Sequence, residues 1–187
     1  SRLMPHPSDA DDAVPDHALI ERWRHGEQRA ARVLVERHAA ALARFAASQG
    51  VREEVDELVQ DTFVRAFGAI DSFRADSSFR TWLFTIERRL MLDRRRAARR
   101  RRDDTELSEG DAVSEFDALD GMVAQEMAAR IRGAVARLSP MQRDVFTLRV
   151  SEGMSYRDIA EVLGSTEGAA RVHYHNALRV VRELLND

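Results

Sequence analysis

The chain contains no cysteine among its 187 residues. This absence excludes a disulfide framework and any metal site built on thiolates. Disulfide bonds persist mainly in oxidising compartments, so their exclusion fits a reducing cytoplasm. We therefore expect a cytoplasmic protein.

Long apolar runs are missing as well. No stretch approaches the roughly 20 consecutive apolar residues that a membrane-spanning helix needs. The N-terminus also lacks the basic region followed by an apolar run that marks a signal peptide. We therefore expect no membrane insertion.

Lysine is absent too, and all 29 basic residues are arginine. The net charge of −3 hides a strong separation of charge along the chain. Residues 74–102 carry 11 arginines against 3 acidic residues, whereas residues 103–127 carry 9 acidic residues and no arginine. This pattern places a polyanion-binding segment beside a segment that itself resembles a polyanion.

Helical periodicity recurs along the chain, and no strand-like alternation interrupts it. The pattern predicts an all-α fold of two small helical domains joined by a flexible acidic linker. We assign a disordered tail to residues 1–15, a first domain to 16–102, the linker to 103–122 and a second domain to 123–187. Three of the four prolines lie in the tail, and the linker sustains no apolar periodicity.

Several residues mark the expected starts of helices. Asp16 follows Pro15 and is a plausible N-cap for the first helix. Ser139 is a second N-cap, because the proline after it suits the first helical position. Ser155 begins a motif like a capping box, with Asp158 in place of glutamate.

Two short helices around Gly164 predict a helix-turn-helix over residues 156–178. Ile159 and Leu163 of the first helix face the core of the domain. Thr166 or Ser165 can cap the second helix. The first turns of the second helix would then enter the major groove of DNA. An ordinary helical hairpin is the alternative interpretation.

A second candidate segment, residues 79–102, combines aromatic and arginine side chains. Phe79, Trp82 and Phe84 precede the arginine run that includes Arg88, Arg89 and Arg96. Arginine supplies contacts to phosphates, and aromatic rings can stack on unpaired bases. The alternative is that the aromatic rings belong to the core and the arginines to a solvated helix end.

Four segments together resemble the extracytoplasmic-function (ECF) group of bacterial sigma factors in the sigma-70 family. Residues 71–86 resemble the promoter-melting segment of that family, and residues 56–63 resemble its helix that binds the polymerase clamp. Residues 138–146 and 153–164 resemble the opening of its C-terminal DNA-binding domain. The resemblance covers about residues 17–185 and implies two helical domains, regions 2 and 4.

The resemblance also implies partners and sites. The expected partners are core RNA polymerase, through its β′ clamp helices and β flap, promoter DNA and an anti-sigma factor. The polymerase-binding residues would be Asp56, Glu57, Gln60 and Asp61. Promoter −10 DNA would contact Phe73, Arg74, Asp76, Ser77, Arg88, Arg89 and Arg96. The −35 element would contact Thr166, Arg171, Val172, His175 and Asn176.

The sequence departs from the family pattern in three places. Arg89 stands where the family commonly has asparagine, and Ser165 stands where an apolar residue is usual. The recognition helix of the family also usually carries more arginine or lysine than Val172 and Asn176 supply.

The resemblance also implies a role for the acidic linker. The family linker threads the active-site and RNA-exit path of polymerase, and a strongly acidic segment suits such a basic channel. The alternative for the linker is a solvated spacer.

Three other function classes compete with this resemblance. An enzyme is disfavoured because the chain has no phosphate-binding glycine loop and no zinc-protease motif. His173 and His175 stand two residues apart on a helix and so point to different faces. We expect no catalytic residue, metal or cofactor. A helix-turn-helix regulator that binds duplex DNA as a dimer is a second alternative, but the arginine-rich segment and the acidic helical face before it favour the sigma factor. A purely protein-binding helical module is a third alternative, and it predicts no salt-dependent binding to DNA.

Overall fold

The computed structural model describes residues 11–103 and 122–187, and within these ranges all regular structure is helical. The first domain contains α1 (Asp16–Arg24), α2 (Gln28–Ser48), α3 (Val55–Gly68) and α4 (Phe79–Asp103), with a 3₁₀ turn at Ile70–Ser72. The second domain contains α5 (Met122–Ala136), α6 (Pro140–Val150), α7 (Tyr156–Leu163) and α8 (Glu167–Asn186). The expected all-α fold is confirmed.

Two parts of the predicted organisation fall on residues outside the described ranges. They are residues 1–10 of the expected tail and residues 104–121 of the expected linker. Residues 11–15, also assigned to the tail, contact the first domain: Asp11 forms an ion pair of 2.8 Å with Arg29, and Val14 packs against the core. None of the described helices is both long and apolar enough to cross a membrane.

Local signals set the helix starts of the second domain as predicted. Ser139 and Gln142 form a reciprocal capping box around Pro140, which satisfies backbone N–H groups that the first turn leaves free. The Ser155 hydroxyl accepts a hydrogen bond of 3.1 Å from the backbone N–H of Asp158. Gly164 then ends α7 in the left-handed conformation, with φ of 63°, which favours glycine because it lacks a Cβ.

The predicted cap at Asp16 is wrong. Pro15 occupies the N-cap position of α1, and its side chain makes no capping hydrogen bond. The Asp16 carboxylate instead accepts hydrogen bonds of 2.8 Å from Arg37 and 2.8 Å from His38, both on α2. The carboxylate therefore bonds to two side chains of the neighbouring helix instead of to backbone N–H groups of α1.

The core of the first domain forms where the apolar faces of its helices meet. Leu34 and Phe45 on α2, Leu58 on α3 and Phe84 on α4 are completely shielded from solvent. The rings of Phe45 and Phe84 lie 5.3 Å apart between centroids. This packing fixes α3 and α4 against α2 and so positions the surfaces of both helices.

The two domains pack directly against each other. Val145 and Leu148 of α6, and Ile159 of α7, belong to the same buried cluster as the core of the first domain. A second, smaller cluster joins α5, α6 and α8 through Ala134, Phe146 and Val181. The arrangement is closed: α6 lies against α2, and α7 lies against α4.

Candidate functional site

The acidic face of α3 is exposed, as its sequence pattern predicts. Asp56, Glu57, Gln60 and Asp61 all lie at the surface. Their surroundings divide them into two pairs. Arg94 of α4 contacts Asp61 at 2.6 Å and Glu57 at 3.8 Å, so these two acids are partly neutralised within the domain.

The other pair, Asp56 and Gln60, borders a cleft between α2 and α3. The cleft has a volume of about 750 Å³. Most of its lining is apolar, contributed by Val35, Ala39, Ala40, Ala43, Val59, Phe63, Val64 and Phe67. Val64 is 67% exposed at this edge. The surface therefore combines an apolar strip with a polar rim, a composition typical of protein-binding sites.

The loop before α4 separates packing residues from exposed polar residues. Phe73 is half-buried, and its ring lies 5.7 Å from that of Phe79 and 5.1 Å from that of Trp82. This contact agrees with a role for Phe73 in anchoring the loop. Arg74 and Asp76 are exposed, and Ser77 is partly exposed. They remain the predicted base-binding residues.

The three arginines predicted for −10 DNA on α4 have different surroundings. Arg89 is exposed. Arg96 is also exposed and lies 3.6 Å from Asp93 on the same helix. Arg88, in contrast, has a side chain that is only 14% exposed, and it forms an ion pair of 2.7 Å with Asp144 of the second domain. In the closed arrangement, Arg88 is therefore occupied.

The helix-turn-helix consists of α7, the turn at Gly164 and α8. Thr166 caps α8, since its hydroxyl accepts a hydrogen bond of 3.1 Å from the backbone N–H of Ala169. The first turns of α8 expose Arg171, Val172 and His175, whereas Asn176 is partly buried. These −35 candidates share one end and one side of the helix, as a recognition helix requires.

Arg171 is held in place by two neighbours. Its guanidinium lies 4.9 Å from the ring centroid of Tyr156 and 3.6 Å from the carboxylate of Glu167. Arg149 approaches the same Tyr156 ring at 4.5 Å. The aromatic ring thus orients an arginine at the start of the exposed surface of α8.

Sequence reasoning missed an ionic cluster between the domains. Glu152, in the turn after α6, has a side chain that is 1% exposed. Its carboxylate accepts two hydrogen bonds from Arg44 of α2, at 3.1 and 3.2 Å. Arg80 of α4 also contacts this carboxylate and donates a hydrogen bond of 2.8 Å to the Glu152 carbonyl oxygen.

Asp144 and Glu87 complete this interdomain cluster. The Asp144 carboxylate accepts hydrogen bonds from Arg88 and from Gln49, the residue that follows α2. Glu87 of α4 is fully buried, and neither of its carboxylate oxygens has a hydrogen-bond partner among residues 11–103 and 122–187. Burial, and the nearby charge of Glu152, raise the pKa of Glu87 to about 9. Glu87 is therefore protonated at neutral pH.

One feature of the sequence could have pointed to this cluster. Glu87 lies at helical spacing from the apolar residues Phe84 and Met91, and an acid on the buried stripe of a helix is unusual. The pairing itself carries no such signal, because Arg44 and Glu152 are separated by 108 positions.

The sequence matches two family models. Residues 34–101 match the family described as Sigma-70 region 2, and residues 128–180 match the one described as Sigma-70, region 4.

Similar curated proteins cover almost the whole chain. RNA polymerase sigma factor CnrH of Cupriavidus metallidurans is 38% identical over 168 residues, which is 85% of each chain. RNA polymerase sigma factor NccH of Alcaligenes xylosoxydans xylosoxydans is 34% identical and covers 93% of this chain and 96% of its own. The ECF RNA polymerase sigma-E factor of Escherichia coli K12 is 28% identical, over 91% of this chain and 94% of its own.

Two solved structures have the same fold. One is CnrH in complex with the cytosolic domain of CnrY, with a TM-score of 0.65, 34% identity, and coverage of 91% of this chain and 97% of that chain. The other is the sigma factor RpoE in complex with the anti-sigma factor NepR from Bartonella quintana. Its TM-score is 0.67, with 28% identity and coverage of 83% of this chain and 96% of that chain.

Proposed function

Because the chain belongs to the ECF group of the sigma-70 family of RNA polymerase sigma factors, we propose that its two domains divide the tasks of transcription initiation between specific surfaces. The protein binds core polymerase and directs it to promoter DNA. The first domain would bind the polymerase clamp and melt the −10 element, and the second would read the −35 element.

The exposed start of α8 carries the proposal for −35 recognition. Arg171, which pairs with Glu167 in the free chain, would release this carboxylate and contact a DNA phosphate. His175 and Asn176 can read base edges, where a good contact contributes about 1–3 kcal/mol of discrimination. Val172, which is 59% exposed, can pack against a thymine methyl group.

The loop before α4 supports the proposal for promoter melting. Arg74, Asp76 and Ser77 offer exposed polar groups beside the aromatic cluster of Phe73. Removing a base from the stack costs a few kcal/mol of free energy. Hydrogen bonds and stacking within a protein pocket can offset about this much. Exposed arginines of α4, such as Arg89 and Arg96, would hold the phosphates of the opened strand.

The cleft edge of α3 supports the proposal for polymerase binding. Asp56 and Gln60 border its apolar lining, so a helical partner could bury apolar area and meet polar groups at the rim. We expect the β′ clamp helices there and the β flap at the second domain. The acidic residues 103–122 would follow the RNA path within polymerase.

The chain would carry out no bond-making chemistry, since polymerase synthesises the RNA. An anti-sigma factor is a further proposed partner, because the similar solved structures include one described as a complex with an anti-sigma factor. Because transcription initiation takes place on the bacterial chromosome, the protein would act in the cytoplasm.

Run-off transcription with core polymerase on a genomic DNA library tests the function directly. We expect specific transcripts that core polymerase alone does not make, with shared −35 and −10 sequences upstream of their starts. A plain helix-turn-helix regulator would bind duplex DNA but would yield no such transcripts.

The clamp proposal has its own test. Gln60→Arg places a positive charge at the cleft rim and changes none of the residues that contact Arg94. We expect it to weaken binding to core polymerase at least several-fold. Arg65→Glu, an exposed charge change on the same helix away from the cleft lining, is the control. Equal affinities for the two variants would contradict the assignment of this edge.

A further inference from the structure

Helix α1 is connected to both ends of the loop before α4, residues 73–78, although it supplies none of the residues proposed to bind DNA or polymerase. Its last residue, Arg24, reaches the 3₁₀ turn that precedes the loop. Its first residue, Asp16, is linked to the start of α4 through His38 of α2. The two ends of one short helix are therefore joined to the two ends of the loop.

Arg24 acts where the loop begins. Its guanidinium donates a hydrogen bond of 3.0 Å to the carbonyl oxygen of Ile70, and the same oxygen accepts a hydrogen bond of 3.1 Å from the backbone N–H of Phe73. Glu21 orients the guanidinium through an ion pair of 2.5 Å. Because a hydrogen bond from a charged donor is stronger than a neutral one, Arg24 fixes the carbonyl group to which the Phe73 backbone is bonded.

His38 acts where the loop ends and α4 begins. It is 6% exposed, and its Nε2 atom lies 2.8 Å from the carboxylate of Asp16. This contact orients the imidazole ring, which lies edge-to-face with the ring of Phe79 at 5.7 Å between centroids. Phe79 has the same arrangement with Phe73, also at 5.7 Å. The two supports therefore converge on Phe73, one through its backbone and the other through its side chain.

The residues between these supports have little packing of their own. Arg74 and Asp76 are exposed, so burial of their side chains cannot order the loop. Its order depends largely on its two ends. A loop that is already held in its binding conformation loses less conformational entropy when a ligand arrives, and it therefore binds more tightly.

We propose that α1 positions this loop for promoter melting, and that Arg24 and His38 are positioning residues for the capture of a −10 base. They hold Phe73 in place, so that the polar residues after it are arranged before the base arrives. The capture of the base rests on the proposed function, whereas the support of the loop by α1 does not.

The first experiment measures this support in the free chain. Arg24→Met keeps the aliphatic stem but removes the hydrogen bond to the 3₁₀ turn. We expect the Phe73 amide hydrogen to exchange with solvent roughly three- to ten-fold faster, measured by NMR, with a smaller change at Phe45 in the core. Arg22→Met is the matched control, because it makes the same change on the same helix at a residue that pairs with Asp11, at 3.6 Å.

The second support has its own variant. His38→Gln keeps a donor for Asp16 and removes the ring that meets Phe79, so it should also accelerate exchange at Phe73 more than at Phe45. Because His38 is buried, this change also lowers the stability of the whole fold, and the ratio of the two exchange rates corrects for that loss. Equal acceleration at both amides would assign His38 to general stability and overturn its part in the proposal.

The second experiment measures promoter opening with core polymerase. We expect Arg24→Met to slow the appearance of permanganate-reactive −10 thymines roughly three- to ten-fold relative to Arg22→Met. The affinity of the closed complex should stay within about two-fold of that control, since Arg24 lies outside the proposed contacts with DNA and polymerase. A selective loss of opening separates positioning of the loop from a general loss of binding.

The outcomes separate this proposal from the function on which it rests. Unchanged exchange at Phe73 in Arg24→Met would overturn the support of the loop by α1. Faster exchange with a normal rate of opening would overturn the link between loop position and melting. If exchange changes as expected but the parent protein gives no specific run-off transcripts, the proposed promoter function fails and the support of the loop by α1 stands.

Discussion

At the residue scale, Asp16 links α1 to α2 rather than capping its own helix. Burial alone would raise the pKa of this carboxyl group, but the hydrogen bond and charge of His38, followed by those of Arg37, hold the pKa below its ordinary value of 3.8. A carboxyl group with a lowered pKa stabilises the fold when it is ionised, and this stabilisation is lost as the pH falls through the lowered pKa.

We therefore expect Asp16→Asn to lower the free energy of unfolding at pH 7 by roughly 1–3 kcal/mol, the usual contribution of a hydrogen bond to a charged group. Urea unfolding should show the difference from the parent protein narrowing as the pH falls below the ordinary value of 3.8 and through the lowered pKa of the native carboxyl group. Asp12→Asn, at an exposed carboxyl group, is the control. A difference that is constant with pH would show that the charge of Asp16 is not the cause.

Phe73 and its polar neighbours provide a second test at this scale. Phe73→Ala removes the ring contacts with Phe79 and Trp82, and we expect a loss of roughly 1–3 kcal/mol in stability. Arg74→Ala with Asp76→Ala should change stability by less than about 0.5 kcal/mol, since both side chains are exposed.

The functional measurement separates packing from base capture. We expect the double variant at Arg74 and Asp76 to reduce permanganate reactivity of −10 thymines while closed-complex binding persists. A template with a pre-melted −10 bubble should recover part of the loss. If this variant opens the promoter at the normal rate, the main role of the loop would be the packing of Phe73 and not the capture of a base.

At the element scale, the turn between α7 and α8 sets the angle of the proposed recognition helix. Gly164 adopts φ of 63°, whereas Gly168 lies within the first turns of α8. A Cβ added at either position would meet nothing within 4 Å. The two glycines therefore differ in backbone conformation and not in available space.

This pair gives a matched prediction. Gly164→Ala should lower the free energy of unfolding by roughly 1 kcal/mol, because the left-handed conformation is unfavourable for alanine. Gly168→Ala should raise it by up to about 1 kcal/mol, because alanine favours helix. Thermal unfolding of both variants measures the difference, and equal shifts in the same direction would contradict the explanation.

The predictability of each element follows from where its determinants lie. Capping at Ser139, Ser155 and Thr166 depends on groups within three residues, so local sequence predicted these starts correctly. The prediction of a cap at Asp16 was wrong because the partners of its carboxylate lie 21 and 22 positions away, on another helix. The interdomain cluster was missed for the same physical reason, since Arg88 and Asp144 are 56 positions apart.

At the scale of the whole molecule, Glu87 makes stability depend on pH. Its pKa is raised from 4.5 to about 9 in the folded chain. Between these values the unfolded chain releases a proton that the folded chain keeps, so folding becomes less favourable as the pH rises. The full stabilisation is present below pH 4.5 and is lost by about pH 9.

We expect the free energy of unfolding to fall by up to about 1.4 kcal/mol per pH unit between pH 6 and pH 8 from this group. Glu87→Gln, which keeps the shape and removes the titration, should flatten this slope and raise stability at pH 8. Denaturant unfolding across this range measures both effects. A slope that is unchanged in the variant would assign the pH dependence to other groups.

The apolar cluster shared by both domains has a thermodynamic consequence. Side chains from α2, α4, α6 and α7 are buried together, so neither domain keeps its full apolar packing when the other unfolds. Calorimetric cooperativity should then extend across the closed chain, with one heat-absorption peak whose van't Hoff and calorimetric enthalpies agree. Once the domains separate, each retains its own smaller core, and the single peak should resolve into two of lower enthalpy.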